Sequence, residues 1–243
     1  MTLPPAQLSQ ETKALLLSVS TATLATALYK RGFRNQVIQN VRLLGSRARN
    51  MVGPAFTLRY IPAREDLNSL SVFANPNHPQ RAAIEDCPAD AVMVVDSRKD
   101  PRAASAGSIL ITRLMIRGCE GIVTDGGFRD SAEIARLNFP SYHQRASAPT
   151  NLTLHQAIDI NVPIGCGDAP VWPGDIVVGD DEAVIVIPTQ LVDEVALEAV
   201  EMTAFEDFVI AEVQKGRSII GLYPATNAEV ERDFAKWRKR FNR

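Results

Sequence analysis

The chain is poor in the residues that build metal clusters and disulfide frameworks. It has three cysteines (Cys87, Cys119 and Cys166) and three histidines (His78, His143 and His155) among 243 residues. An odd number of widely spaced cysteines fits neither a disulfide scaffold nor a zinc cluster, so buried free thiols are expected. No HxxxH or HExxH spacing occurs, which argues against a histidine-rich transition-metal site. Long apolar runs are missing too. No segment has the length needed to cross a bilayer, and the opening MTLPPAQLSQETK lacks the basic start and apolar middle of a secretory signal. A cytoplasmic location with no membrane partner is therefore expected. Nor is there an excess of either charge: 26 basic residues against 28 acidic ones give a net charge of −2. That balance provides no overall attraction to nucleic acid, which is not the expected partner.

What is present describes an ordinary globular chain. The hydrophobic fraction is 46% and the charged fraction 22%, and the length is ample for one buried core, so a single domain over residues 1–243 is expected. Apolar positions at helical spacing, among them Leu15, Leu16, Val19, Leu24 and Leu28, predict one helix over about 9–30, closed by Arg31 and Gly32. Strands are predicted at Ala55 to Tyr60, Ala91 to Val95 and Ala157 to Pro163, and a polar, proline-broken loop near the candidate site at Asn75 to Pro79. A second polar loop is predicted over Ser147 to Thr153. Two turns, at Trp172 to Asp175 and Gly179 to Glu182, alternate with apolar runs and predict a β-hairpin, with Asp175, Asp180, Asp181 and Glu182 serving turn chemistry rather than calcium. From about residue 190 the periodicity is helical to the end, with a break after Gly216 and a possible cap at Asn227. The last segment ends in the basic run WRKRFNR, for which a solvated helix end is the default.

The most informative stretch is GCEGIVTDGGFRDSAEI, from Gly118 to Ile134. An apolar strand enters a glycine turn, and a helix opens soon after. Gly126 and Gly127 carry no side chain, so a ligand could approach the main chain there. At the end of the turn, Arg129 offers a planar cation that grips carboxylates in two-pronged fashion, and Asp130 offers a hard oxygen ligand suited to Mg2+. The loop after Asp96 is a second place to look, because ligands often bind beyond strand ends. Small residues from Ala103 lead into an apolar helix whose first amides, from Gly107, Ser108, Ile109 and Leu110, could face an anion, although close helix packing is the better explanation of such residues taken alone.

GIVTDGGFRD followed by PGDIVVGDDEAVIVIP resembles the family of 4-hydroxy-4-methyl-2-oxoglutarate aldolases and regulator of ribonuclease activity A. The resemblance implies an α/β fold, a three-layer β/β/α sandwich of the swivelling-domain type. It also implies a homo-oligomer, trimer or hexamer, with sites between subunits. It assigns Arg129 to the carboxylate of a pyruvyl unit, Asp130 to Mg2+, the Gly107 to Leu110 amides to the substrate, and Glu206, from a neighbouring subunit, to the metal site. The position 21 residues before Arg129, acidic in the aldolases, is Ser108. A serine carries no charge and is no equivalent proton acceptor. The implied activity is a Mg2+-dependent lyase releasing pyruvate from a small 2-oxo acid, with oxaloacetate decarboxylation as a companion. The alternatives are a non-catalytic ring that regulates an RNA-processing enzyme and, more remotely, a methyltransferase, for which the nucleotide-binding glycine fingerprint is absent.

Overall fold

The computed structural model describes residues 8–46, 50–241 and 243. The extreme N-terminus, residues 47–49 and Asn242 of the basic tail lie outside the described residues. The predicted first helix is two helices, α1 (Gln10–Leu17) and α2 (Thr21–Lys30). Its apolar spacing concealed a pair of serine caps. Ser9 accepts from the Thr12 N–H at 3.0 Å and Ser20 from the Thr23 N–H at 3.1 Å, so Ser20 starts a new helix instead of continuing the old one.

After β1 (Arg42–Leu43) comes β2 (Met51–Pro62), longer at both ends than the strand expected from Ala55. Gly53 and Pro54, which look like breakers, lie inside it. A Cβ at Gly53 would sit 2.3 Å from the Asp90 carbonyl oxygen, so the site admits only glycine. Pro54 closes the pairing with a later strand just before pairing with the next one begins at Ala55, and its missing N–H falls at that handover. The predicted loop at Asn75 to Pro79 is shorter than expected, because Pro79 opens α3 (Pro79–Asp86), where its fixed φ suits a first helical position.

β3 (Val92–Asp96) is followed by β4 (Ala104–Ala106) and α4 (Ser108–Ile116). The small residues expected to begin this helix therefore form a strand before it. Next come β5 (Gly121–Thr124), β6 (Gly127–Phe128), α5 (Ser131–Ile134), β7 (Ser141–His143), β8 (Arg145–Ala146) and β9 (His155–Ile160). The chain then runs through β10 (Ile164–Cys166), β11 (Ala169–Val171), β12 (Ile176–Gly179) and β13 (Val184–Ile187) to α6 (Val192–Gln214) and α7 (Ala228–Phe241).

The main sheet has the order β1-β7-β5-β3-β2-β12-β13, with β9 also paired to β2. Its centre is parallel and its flanks antiparallel. The expected hairpin is present, with Ile176 opposite Ile187 and Gly179 opposite Val184. Alternation along the strands divides the core. Met93, Val95 and Ile122 pack toward α3 and α4, and Val52, Ile176, Val178, Ile185 and Ile187 toward α1, α2 and α6. The residues between them, Val92, Val94, Val123, Val177 and Val186, pack with Ile164, Cys166, Ala169 and Val171 of the β10–β11 hairpin. Hairpin, sheet and helices make the expected β/β/α layering, a mixed sheet curled into a half-barrel with helices. No helix among the described residues is long and apolar enough to cross a membrane.

The acidic turn between β12 and β13 is structural. Asp180 accepts from the Thr21 N–H and hydroxyl, each at 2.8 Å, and from the Glu182 and Ala183 amides at 2.9 and 3.0 Å, fastening the start of α2 to the hairpin. Asp180→Ala strands these buried donors and is expected to lower the unfolding free energy by about 2 kcal/mol or more, measured by urea denaturation.

Candidate functional site

Two short parallel strands assemble the candidate site. β4 and β6 pair with Ala104 opposite Gly127 and Ala106 opposite Phe128, so the residues after each strand emerge side by side. Gly107 and Ser108 follow one strand, Arg129 and Asp130 the other. The Arg129 N–H donates to the Ala106 carbonyl at 3.1 Å, extending the pairing by one step.

Asp130 has φ 56° and ψ 36°, a left-handed conformation, and stands at the head of α5 without capping it. For a non-glycine residue such a conformation costs about 1–3 kcal/mol and concentrates at functional sites. Its carboxylate turns to α4 instead. Oδ2 accepts from the Ser108 N–H at 3.1 Å and from the Ser108 hydroxyl at 3.3 Å, at a helix end whose amides favour an anion. The Ser108 amide, one of the four expected to face a ligand, is therefore occupied by the protein's own carboxylate. Those of Ile109 and Leu110 belong to the first turn, where no partner exists within the helix. Arg129 Nε lies 3.5 Å from Asp130 Oδ1, and the two side chains remain 47% and 37% exposed, which leaves both available to a ligand.

Glycine matters here at a different position from the one expected. A Cβ on Gly126 would meet Ser97 Cβ at 2.6 Å and one on Gly127 would meet Ser147 Cβ at 2.7 Å; protein packing, not ligand space, requires both. Gly107 is the glycine at the site, since a Cβ there would lie 2.7 Å from Asp130 Oδ2 and 2.8 Å from Arg129 Cγ.

Buried polar groups support this arrangement from behind. Asp125, fully buried, accepts from the amides of Ser97 at 2.6 Å, Lys99 at 3.1 Å and Gly167 at 3.2 Å. Burial raises its pKa and the three amides oppose the rise. Gln80 donates to the Tyr60 hydroxyl at 3.0 Å and the Ser105 carbonyl at 2.8 Å, joining α3 to β4, and burial holds the Tyr60 hydroxyl protonated. The loop after Asp96 contributes the Ser97 and Lys99 amides to this scaffold.

Arg129, Asp130, Gly107, Ile109 and Leu110 line a cleft of about 560 Å3, which Ser108 reaches through its bonds to Asp130. Phe73, Arg81 and Asn151 line it as well and were not singled out in the sequence. The only signal for them was their place in or beside the two predicted polar loops. Glu206 does not line this cleft within the chain. It lies on α6, where the Thr23 hydroxyl donates to it at 3.2 Å and the Tyr223 hydroxyl at 3.3 Å. Among the described residues no group of three or more His, Cys, Asp or Glu side chains is placed to hold a metal ion. One half-exposed carboxylate suits Mg2+, which keeps much of its water shell, and does not suit a zinc-type site.

The sequence model of the family described as "RraA-like: Aldolase/RraA" matches residues 21–186. The chain belongs to the RraA-like family. A Halalkalibacterium halodurans protein provisionally named 4-hydroxy-4-methyl-2-oxoglutarate aldolase is 35% identical over 142 residues, 57% of this chain and 60% of the relative. The chain thus spans less than two thirds of that relative's length. Streptomyces coelicolor RraAS2, described as an unusual member of the RNase ES inhibitor RraA protein family, superimposes with a TM-score of 0.74 at 26% identity, covering 84% of this chain and 98% of its own. An uncharacterized Pseudomonas syringae protein gives a TM-score of 0.80 at 22% identity over 93% of this chain and 99% of its own, a likeness of fold alone.

Gly107→Ala tests the geometry. The backbone at Gly107 is extended (φ −127°, ψ 179°) and accepts alanine, so stability should change by about 1 kcal/mol or less. If Arg129 holds a pyruvyl carboxylate, as the family resemblance implies, the added methyl, which displaces Arg129 and Asp130, weakens pyruvate binding at least about tenfold in a calorimetric titration.

Proposed function

We propose that the chain is a Mg2+-dependent lyase that cleaves a 4-hydroxy-2-oxo acid, such as 4-hydroxy-4-methyl-2-oxoglutarate, to pyruvate, and decarboxylates oxaloacetate as a companion activity. The observation that carries this reading is the placement of Arg129 and Asp130 together over Gly107, at the carboxyl ends of two parallel strands and in an open cleft. Both reactions leave electrons on a pyruvate enolate, and stabilising that oxyanion is the main catalytic task.

Arg129 binds the substrate carboxylate through its guanidinium fork and adds positive charge where the enolate develops. Asp130, positioned by Ser108 at the start of α4, would hold a divalent metal together with water. Bound there, Mg2+ would supply Lewis-acid charge to the substrate, so no lysine would be needed as an electron sink. The amides of Ile109 and Leu110 orient the carboxylate. Asp130 is already hydrogen-bonded, so the proton of the C4 hydroxyl leaves to solvent, with the Ser108 hydroxyl as a relay, as the C3–C4 bond breaks and C4 becomes a carbonyl; the enolate carbon left behind takes a proton from solvent to give pyruvate. In an assembled trimer or hexamer, Glu206 of an adjacent subunit completes the site.

The alternative, a non-catalytic regulator of an RNA-processing enzyme, is favoured by Ser108 in place of an acidic residue and by the basic end from Arg232 to Arg243. Part of that end is engaged within the chain, while Arg232, Lys236, Lys239 and Arg240 are exposed. Phe234 and Trp237 of α7 pack on Phe208, with ring centroids 5.6 and 6.1 Å away, and Arg238 bonds Glu201 at 2.6 and 2.9 Å. A tail held this way favours a structural role.

Pyruvate release is measured from 4-hydroxy-4-methyl-2-oxoglutarate and oxaloacetate with Mg2+ and with a chelator, after subtracting the metal's own catalysis. Chelator-sensitive turnover is expected, with kcat/KM reduced about 100-fold or more in Arg129→Ala and Asp130→Ala. Unchanged turnover in either variant would remove that residue from the site, and wild-type inactivity on both substrates would favour the regulator.

A further inference from the structure

Two of the three cysteines meet at one place outside the cleft. Cys87 closes the C-terminal end of α3, and Cys119 lies just beyond Arg117, which closes α4. Backbone bonds hold the two segments together: the Asp90 N–H donates to the Gly118 carbonyl at 2.9 Å and the Glu120 N–H to the Ala91 carbonyl at 2.8 Å. Cys119 Sγ lies 3.5 Å from the Pro88 carbonyl oxygen and 3.9 Å from that of Cys87 itself, and the two thiols hydrogen-bond each other.

A cation beside the pair is only partly engaged. Arg117 donates through Nη2 to the Cys87 carbonyl at 3.3 Å, and its Nη1 lies 3.7 Å from Glu85, but its buried Nε has no partner among the described residues. A guanidinium with a spare donor stabilises a thiolate near it. The Cys119 thiol accordingly lies below the ordinary cysteine range, chiefly because Cys87 donates to it, with burial opposing and the Arg117 charge adding to the pull. The same bond pushes Cys87 up. Exposure separates the two in the same sense, since Cys119 keeps 8% and Cys87 none. Cys166, fully buried and pushed up by burial, packs in another part of the core.

We propose that Cys87 and Cys119 form a peroxide-oxidisable pair, a modification site that reversibly links α3 to α4. In the first step the Cys119 thiolate attacks hydrogen peroxide: an S–O bond forms, the O–O bond breaks, and the departing hydroxide takes a proton to leave as water, giving a sulfenic acid. In the second, the Cys87 sulfur attacks the Cys119 sulfur. An S–S bond forms, the S–O bond breaks, and the oxygen leaves with the Cys87 proton as a second water. Peroxide gains the two electrons that the two thiols lose, and a dithiol reverses the link. Loss of the Cys119 thiolate also removes the acceptor that held the Cys87 proton. The link joins the ends of α3 and α4 opposite to those that carry Arg81 and Ile109, so it fixes the spacing of two helices that both line the cleft.

In the test, the full chain is treated with a small excess of hydrogen peroxide, then unfolded and titrated for free thiols. The wild type should fall from three thiols to about one and return to three with dithiothreitol. Peptide mass spectrometry should recover Cys87 joined to Cys119 within one chain, two hydrogens lighter than the reduced pair, with Cys166 unmodified. Cys87→Ala should leave a Cys119 sulfenic acid that dimedone captures, and Cys119→Ala should leave Cys87 reduced. Arg117→Gln should slow the linkage about threefold or more. Three free thiols after peroxide, a disulfide between chains, or oxidation of Cys166 ahead of Cys119 overturns the pair. Dimedone capture at Cys87 in Cys119→Ala overturns the order of attack. The wild-type measurement decides by itself where an alanine variant fails to fold.

Discussion

The candidate site depends on a carboxylate that never meets solvent. Taking Asp125 out of water is expensive, and it is tolerable because three backbone N–H groups converge on the anion. Those amides come from separate places, two from the loop after β3 and one from the β10–β11 turn, so one side chain ties the outer hairpin to the centre of the sheet. The tie also brings Ser97 close to Gly126, too close for a Cβ there. From that fixed turn the chain enters β6, pairs with β4, and delivers Arg129 and Asp130 beside the start of α4. The exposed pair is positioned by the buried one.

The parts of this fold that were legible in the sequence are those governed by local rules. The β12–β13 hairpin followed from turn residues between apolar runs, and Asn227 caps α7 through the Glu229 and Val230 amides as its type and place suggested. What escaped depends on distant partners. Gly53 and Pro54 looked like strand breakers because nothing local reveals that Asp90 crowds one and that the other lies at a change of pairing partner. Ser20 looked like an ordinary helical position until its cap geometry separated two helices. At the site, the adjacent residues Arg129 and Asp130 could be found together, whereas Arg81 and Asn151, some 70 positions apart, come together only through folding.

Gly126 and Gly127 show how a correct feature can carry the wrong reason. They attracted attention as a place where a ligand could approach the backbone, but side chains of Ser97, Ser105 and Ser147 fill that space. Their contribution is indirect, allowing the close packing that sets the course of β6. Gly107, in a less conspicuous run of small residues, is the glycine whose missing Cβ makes room for Arg129 and Asp130.

Ser108 changes the electrostatics of the site in a definite direction. An acidic residue at its position would put a second anion beside Asp130, and two carboxylates about 4 Å apart repel by about 4 kcal/mol at an effective dielectric of 20, a cost that a bound cation relieves. Serine removes the repulsion and substitutes a hydrogen bond to Oδ2. Asp130 is then held in place by the protein alone, with Oδ2 already shared among donors. On the proposed reading, metal affinity comes less from the protein and more from the substrate's own oxygens, so ion and 2-oxo acid reinforce each other's binding. The same loss of charge makes the cleft more electropositive.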